Sequence, residues 1–232
     1  MNSAHTDAPL AATFEALLNE RYSCRGFLDR PVPRDTIESI LRIAQRSPSW
    51  CNSQPWQVIV TSAGATRRLR EAFQSPEAEA EADAGYDIPP PAEYRGVYRE
   101  RRRECGFQLY ESVGIAHGDR VASARQAKEN FKFFGAPHVA LITTDALLGT
   151  YGVLDCGAYV NNFMLAARSL GVACIAQAAI ASRARFLHRW FDIPADRQIV
   201  CGISFGYEDP AHPANQFRTT RATLADVCQW IE

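Results

Sequence analysis

Residues 47–60 read SPSWCNSQPWQVIV. Pro48, Trp50, Asn52, Gln54 and Pro55 crowd into a short loop, and an apolar run then begins at Val58. Asn52 and Gln54 each carry a donor and an acceptor, the pairing needed to read the edge of a heteroaromatic ring. Pro48 and Trp50 can pack on a flat ring face. The same residues also fit a turn whose amides satisfy the local backbone.

Upstream of the loop, Ile37, Ile40, Leu41 and Ala44 follow helical spacing behind Pro33, which can open a helix because its missing N–H is not needed there. An earlier helix is expected over Ala11–Glu20, with Phe14, Leu17 and Leu18 on one face. Downstream, strands are expected at about Gln57–Thr61, His138–Thr144, Ala173–Gln177 and Ile199–Phe205. A long helix is expected from about Asp155 to Leu170, closed by Gly171, and a short one lies within SRARFLHRWFDIP. The long helix is apolar nearly all round, which reads as burial on all sides and suggests a subunit interface; a central helix of a monomer has the same pattern. Residues 75–104 are charged, Pro-rich and poor in aliphatics, an excursion or lid that is partly helical after Pro91. Intermixed strands and helices with irregular connections indicate an α+β fold with one mixed sheet flanked by helices.

The chain has 232 residues, 47% hydrophobic and 22% charged, enough for one domain with a full core. A net charge of −1 provides no overall field to recruit nucleic acid or anionic membrane. No apolar run is long enough to span a bilayer, and MNSAHTDAPL lacks the pattern of a secretory signal. Seven cysteines without a CxxC pair fit reduced thiols in a cytosol better than a disulfide framework or a zinc site. His5, His117, His138, His188 and His212 are scattered without metal-ligand spacing, and no metal is expected. GxGxxG, GxxxxGK[ST] and GxSxG are all absent. Cys51 has no base near it in sequence and reads as structural.

In RYSCR, residues 21–25, alternation places Arg21, Ser23 and Arg25 on one face of an extended segment. Two guanidiniums and a hydroxyl suit a phosphate monoester. An exposed basic turn has the same sequence, and Arg218 and Arg221 in the tail read alone as surface charge.

Taken jointly, these segments resemble the nitroreductase family of flavin enzymes. RYSCRGF is similar to its R-x-S-x-R-x-F opening, and the match continues through PVPRDTIESILRIAQRSPSWCNSQPWQVIV. It resumes at YVNNFMLAARSLGVACIAQAAI and GISFGYEDPAHPANQFRTTRATLADV. RRRECGFQLY and ENFKFFGAP resemble a subgroup that includes nitrobenzoate-type reductases. The resemblance implies a single nitroreductase-like domain over residues 1–232, with an excursion or lid at about 75–130. It also implies an intertwined homodimer with FMN at the subunit interface. Arg21, Ser23 and Arg25 would hold the phosphate and ribityl end, joined by Arg221 and Arg218. Pro48, Ser49, Trp50, Asn52 and Gln54 would reach the flavin of the other subunit. Gln177 and Ala178 would lie beside the reactive ring edge, and Asn130 near the pyrimidine end. Trp50, Tyr94, Tyr98, Phe131, Phe133 and Phe134 could offer aromatic walls to a small aromatic acceptor, with Tyr94, Phe131 and Phe134 the candidates, though core packing accounts better for two of the three phenylalanines.

The implied activity is ping-pong reduction of nitroaromatics by NADH or NADPH through the flavin, in the cytoplasm, with no dedicated catalytic side chain. Quinone or enone reduction, reductive dehalogenation, and flavin binding without turnover are the alternatives.

Overall fold

The computed structural model describes residues 8–80 and 85–232. The signal-sequence reading of the first residues, His5 and part of the 75–104 excursion fall outside the described residues.

Four strands form one sheet in the order β1-β2-β4-β3: β1 (Gln57–Val60), β2 (His138–Asp145), β3 (Ala173–Gln177) and β4 (Arg197–Gly206). All three pairings are antiparallel, a correction to the expected mixed sheet. A parallel contact exists at a single bridge, Ser23 to Cys174, where the N-terminal segment meets the outer edge of β3. The expectation rested on alternating helices and strands. Here the helix Gly149–Ser169 carries the chain from β2 past the place of β4 to β3, and β4 then fills the gap antiparallel to both.

The sheet is covered on both faces, which explains why β2 reads as a continuous apolar run instead of alternating with polar residues. On one face, Ala140 and Ile142 of β2 and Ile203 and Phe205 of β4 pack against α2 (Arg34–Ala44) and α7 (Gly149–Ser169) through Ile40, Tyr159 and Phe163. On the other, Val139, Leu141 and Ile199 pack against α3 (Ala63–Phe73), α8 (Ala178–Ala181) and α9 (Ala184–Phe191) through Leu69, Phe73, Ile180 and Leu187. α1 (Ala8–Glu20), α4 (Pro76–Ala80), α5 (Gly96–Ser112) and α6 (Arg120–Lys128) complete the α-helices among the described residues.

α7 begins at Gly149, six residues before the expected start at Asp155. Two glycines in its first turn weaken the helical pattern in sequence, but Gly152 packs tightly against Thr144 of β2. A Cβ there would sit 2.7 Å from Thr144 Oγ1. The helix ends as Gly171 predicts: Gly171 is left-handed at φ +72°, its N–H bonds Arg168 O, and Val172 N–H bonds Ala167 O, closing a Schellman motif. Burial on all sides is not what one protomer shows, because Tyr151 and Leu154 of α7 are exposed.

His138 is buried between loop and sheet. Its Nε2 accepts from Val32 N–H at 3.0 Å, and its Nδ1 donates to Thr61 O at 2.9 Å, an arrangement that requires the neutral ring. Burial lowers its pKa below the ordinary 6.5, against a smaller opposing effect of the bond to Thr61. Below pH 6.5 the unfolded chain therefore takes up a proton that the folded chain still refuses. Stability is expected to fall as pH drops through that range, by up to about 1.4 kcal/mol per pH unit from this group. Urea midpoints at pH 7 and pH 5.5 check this: the drop should be smaller in His138→Gln, and an equal drop in both proteins removes His138 as its source.

Candidate functional site

Arg21, Tyr22, Ser23 and Arg25 meet Arg218, Thr219 and Arg221 around a cavity of about 250 Å³, closed on one side by Cys105 of α5. Four arginines and the hydroxyl residues Tyr22, Ser23 and Thr219 line it, and none of the lining residues is acidic. Arg25 has its Nη1 on Ser23 O at 3.2 Å and its guanidinium over the Phe217 ring at 5.8 Å. Burial pulls its pKa down, since hydration is lost and no carboxylate compensates. A cation in that position is stabilised by an anion that brings its own oxygens. This donor set fits a phosphate monoester.

Tyr22 also lines the cavity, although strict alternation would turn it away. Arg218 lies over its ring at 3.7 Å, and its hydroxyl donates to Glu208 at 2.6 Å. Glu208 in turn lies 3.8 Å from Arg168 near the end of α7. Burial, reinforced by the Glu208 bond, raises the Tyr22 pKa far above its ordinary value, so the ring stays a neutral platform.

From the Ser23–Cys174 bridge, β3 runs about 10 Å to Gln177, three residues on. As the last strand of the sheet, β3 has no strand on its outer side past that bridge among the described residues. At its far end the buried Gln177 donates from Nε2 to Asn130 O at 3.0 Å and Asn130 Oδ1 at 3.1 Å, while Ser204 Oγ donates to its Oε1. Ala178 follows at the exposed start of α8. The structure thus sets the arginine cavity and the Asn130–Gln177–Ala178 group at two ends of one open strand edge.

The Ser47–Val60 loop is elsewhere. Trp50 packs edge-on against Tyr151 with centroids 4.1 Å apart, and its N–H bonds Asp155 Oδ2 at 3.0 Å. Asp155 and Arg168 are thirteen residues apart on α7, about 20 Å along the axis. Cys51, Asn52 and Gln54 have φ of +50°, +55° and +47°, left-handed conformations that cost non-glycine residues energy and concentrate at functional sites. The Ser49 hydroxyl accepts Gln54 N–H at 2.9 Å, and Arg197 Nη2 holds Pro55 O at 3.0 Å. Pro48, Trp50, Asn52 and Gln54 are all exposed.

The aromatic residues divide. Phe133 and Phe134 are buried; Phe134 also lines a second cavity beside Arg25 and His212. Phe131 is half-buried, 3.9 Å beneath the Arg183 guanidinium. Tyr94 is exposed before α5 and lines neither cavity. The sequence reading passed over Tyr22, Cys105, Phe217 and Thr219, four of the cavity's walls. Proximity to the RYSCR and tail arginines was a signal for Tyr22, Phe217 and Thr219; Cys105, on α5, carried none.

These features define an α+β protein with an arginine-rich cavity at the head of an open strand edge. The chain belongs to the Nitroreductase family, whose model matches residues 18–207. It is 33% identical over 216 residues to a 4-nitrobenzoate reductase of Nocardioides sp. (strain LMS-CY), covering 92% of this chain and 87% of that protein. It is 33% identical over 226 residues to nitroreductase NfnB of Mycolicibacterium smegmatis, covering 95% and 94%. The fold is similar to the crystal structure of the FMN-dependent nitroreductase NfnB from Mycobacterium smegmatis in complex with NADPH, with a TM-score of 0.89, 32% identity, and coverage of 96% of this chain and 100% of that one.

Proposed function

We propose that this chain is an FMN-dependent NAD(P)H oxidoreductase that reduces nitroaromatic compounds, acting as a cytoplasmic homodimer. The observation that carries this reading is the acid-free cavity of four guanidiniums at one end of the open β3 edge. It is supported by similarity along nearly the whole chain to proteins named as nitroreductases. Bound FMN would supply the redox chemistry, taking hydride from NADH or NADPH and passing it to the acceptor.

The chain's own residues would bind and orient. Arg21, Ser23, Arg25, Arg218 and Arg221 would hold the phosphate, with the ribityl chain along β3. Gln177 and Ala178 would line the ring edge. Gln177 occupies Asn130 Oδ1 as an acceptor, and so fixes which way that carboxamide points toward the pyrimidine end. Phe131 would contribute to an acceptor wall.

Pro48, Ser49, Trp50, Asn52 and Gln54 would serve the flavin of the partner subunit. Two observations support this. The loop is anchored at Asp155, about 20 Å along α7 from Arg168, whose neighbour Glu208 holds Tyr22 of the arginine cavity. Trp50, Tyr151 and Leu154 beside it form an exposed apolar surface that a second copy would cover. Among the described residues no helix is long and apolar enough to cross a membrane, and all seven cysteines are free thiols.

The absorbance of the purified protein tests the function: flavin bands are expected, bleached by NAD(P)H and restored by 4-nitrobenzoate. A protein that takes up no FMN, or whose flavin no reductant bleaches, overturns it. Restoration by quinones, enones or halophenols but not by nitroaromatics replaces the acceptor class alone. Arg25→Ala tests the phosphate assignment. It removes a charge-assisted partner worth about 1.5–3 kcal/mol, so FMN should bind at least about tenfold more weakly. Riboflavin, which has no phosphate, should lose far less; equal losses for both ligands would show that Arg25 does not contact phosphate.

A further inference from the structure

Asn215 does not line the arginine cavity, yet it touches both chain segments that do. It is buried, and its carboxamide is fully engaged: Oδ1 accepts Arg25 N–H at 2.8 Å, and Nδ2 donates to Gly26 O and Asp209 O, each at 2.9 Å. Reversing the amide would set donor against donor and acceptor against acceptor, so its orientation is fixed. The main-chain oxygen of the same residue accepts Arg218 Nη1 at 2.7 Å.

Asn215 is also the last buried residue before the exposed run Gln216, Arg218, Thr219, Thr220, Arg221, in which only Phe217 is half-buried. That run contains no helix or strand. The tail arginines therefore stand on an irregular segment, and the Asn215 side chain is its buried tie to Arg25 and Gly26, beside the Arg218–Tyr22 stack. An arginine on a loose segment loses conformational freedom when it captures an anion; one already held in place loses less.

We propose that Asn215 is a positioning residue for the cofactor phosphate, latching the Arg21–Arg25 segment to the Arg218–Arg221 segment so that their guanidiniums converge before the ligand arrives. This rests on the reading of the cavity as the phosphate site. It assigns the selectivity for a phosphorylated flavin to a residue that makes no contact with the phosphate.

The test is the ratio of FMN to riboflavin dissociation constants, by equilibrium dialysis of the full chain. Asn215→Ala is expected to weaken FMN about tenfold or more while riboflavin changes by less than about threefold. A residue that only supports the fold would weaken both alike. Arg218→Ala should weaken FMN in the unmodified chain and add little to Asn215→Ala, because the latch acts through that arginine. If the unmodified chain shows no preference for FMN, the phosphate reading itself fails. If the preference is present and survives Asn215→Ala, or if the two substitutions add fully, this proposal alone fails. Asn215→Ser, which keeps one of the three side-chain bonds, takes the place of an Ala variant that does not fold. Hydrogen exchange on the unmodified chain needs no variant: FMN should slow exchange at Arg25 and Gly26 together with residues 216–221. Protection confined to one segment overturns the latch.

Discussion

A mixed dimer of one Arg25→Glu chain and one Asn52→Trp chain is expected to recover about half of the normal flavin occupancy, although each variant alone as a homodimer binds almost none. Arg25→Glu sets a carboxylate against the phosphate in a cavity that has no other acid. Asn52→Trp places a bulky ring on a loop whose backbone is already held left-handed at that residue. If each flavin draws its arginines from one chain and its loop from the other, both lesions in the mixed dimer fall in one site. The second site is then whole. If Arg25 and Asn52 serve the same flavin from one chain, every site carries a lesion and nothing is recovered. Flavin absorbance per mole of doubly tag-purified heterodimer decides between them. The separation along α7 between the Asp155 anchor of the loop and Arg168 favours the crossed arrangement.

Gly26→Ala is expected to cost roughly 3 kcal/mol and most of the FMN affinity. A Cβ at Gly26 would overlap the His212 ring, 2.6 Å from Cδ2. Neither side can yield cheaply. Gly26 O accepts from Asn215 Nδ2 and from Asp209 N–H, both at 2.9 Å, and His212 Nδ1 caps the turn before Asn215 by accepting Ala214 N–H at 3.3 Å. Displacing either segment loosens the contacts that bring Arg25 and Arg218 together. For a chain of this length the melting temperature should drop by about 6–12 °C. Adding His212→Gly should restore much of it by removing the obstructing ring. A Gly26→Ala protein that melts normally, or one that His212→Gly does not help, would show that the close approach is not what requires glycine at this position.

Much of this was legible before any coordinates. The spacing of Ile37, Ile40 and Ala44 marks α2, and the three are its buried face. Gly171 marks the end of α7 because a left-handed residue there is cheap for glycine. Arg21, Ser23 and Arg25 fall on one face by their order, a pattern that suits a phosphate but that an exposed basic turn shares. All of these are short-range signals, carried by a few adjacent residues and their torsional preferences.

The rest depended on parts of the chain distant in sequence. Arg218 and Arg221 are ordinary surface charges until the turn at residues 209–215 folds onto Gly26, and the bond between Arg25 and Asn215 closes a separation of 190 residues. Asn215 itself carries no motif, since a buried amide is identified by the groups it satisfies and those lie on other elements. Strand direction was misjudged because helix–strand alternation leaves open which neighbour a strand joins, and β4, last in sequence, inserts between β2 and β3. By itself the sequence determined the family, the α+β class and the residues fit to hold a phosphate. Only the tertiary structure decided that those residues converge and that the Asn52 loop stands apart from them, because convergence is set by long-range burial and hydrogen bonding, to which local pattern is blind.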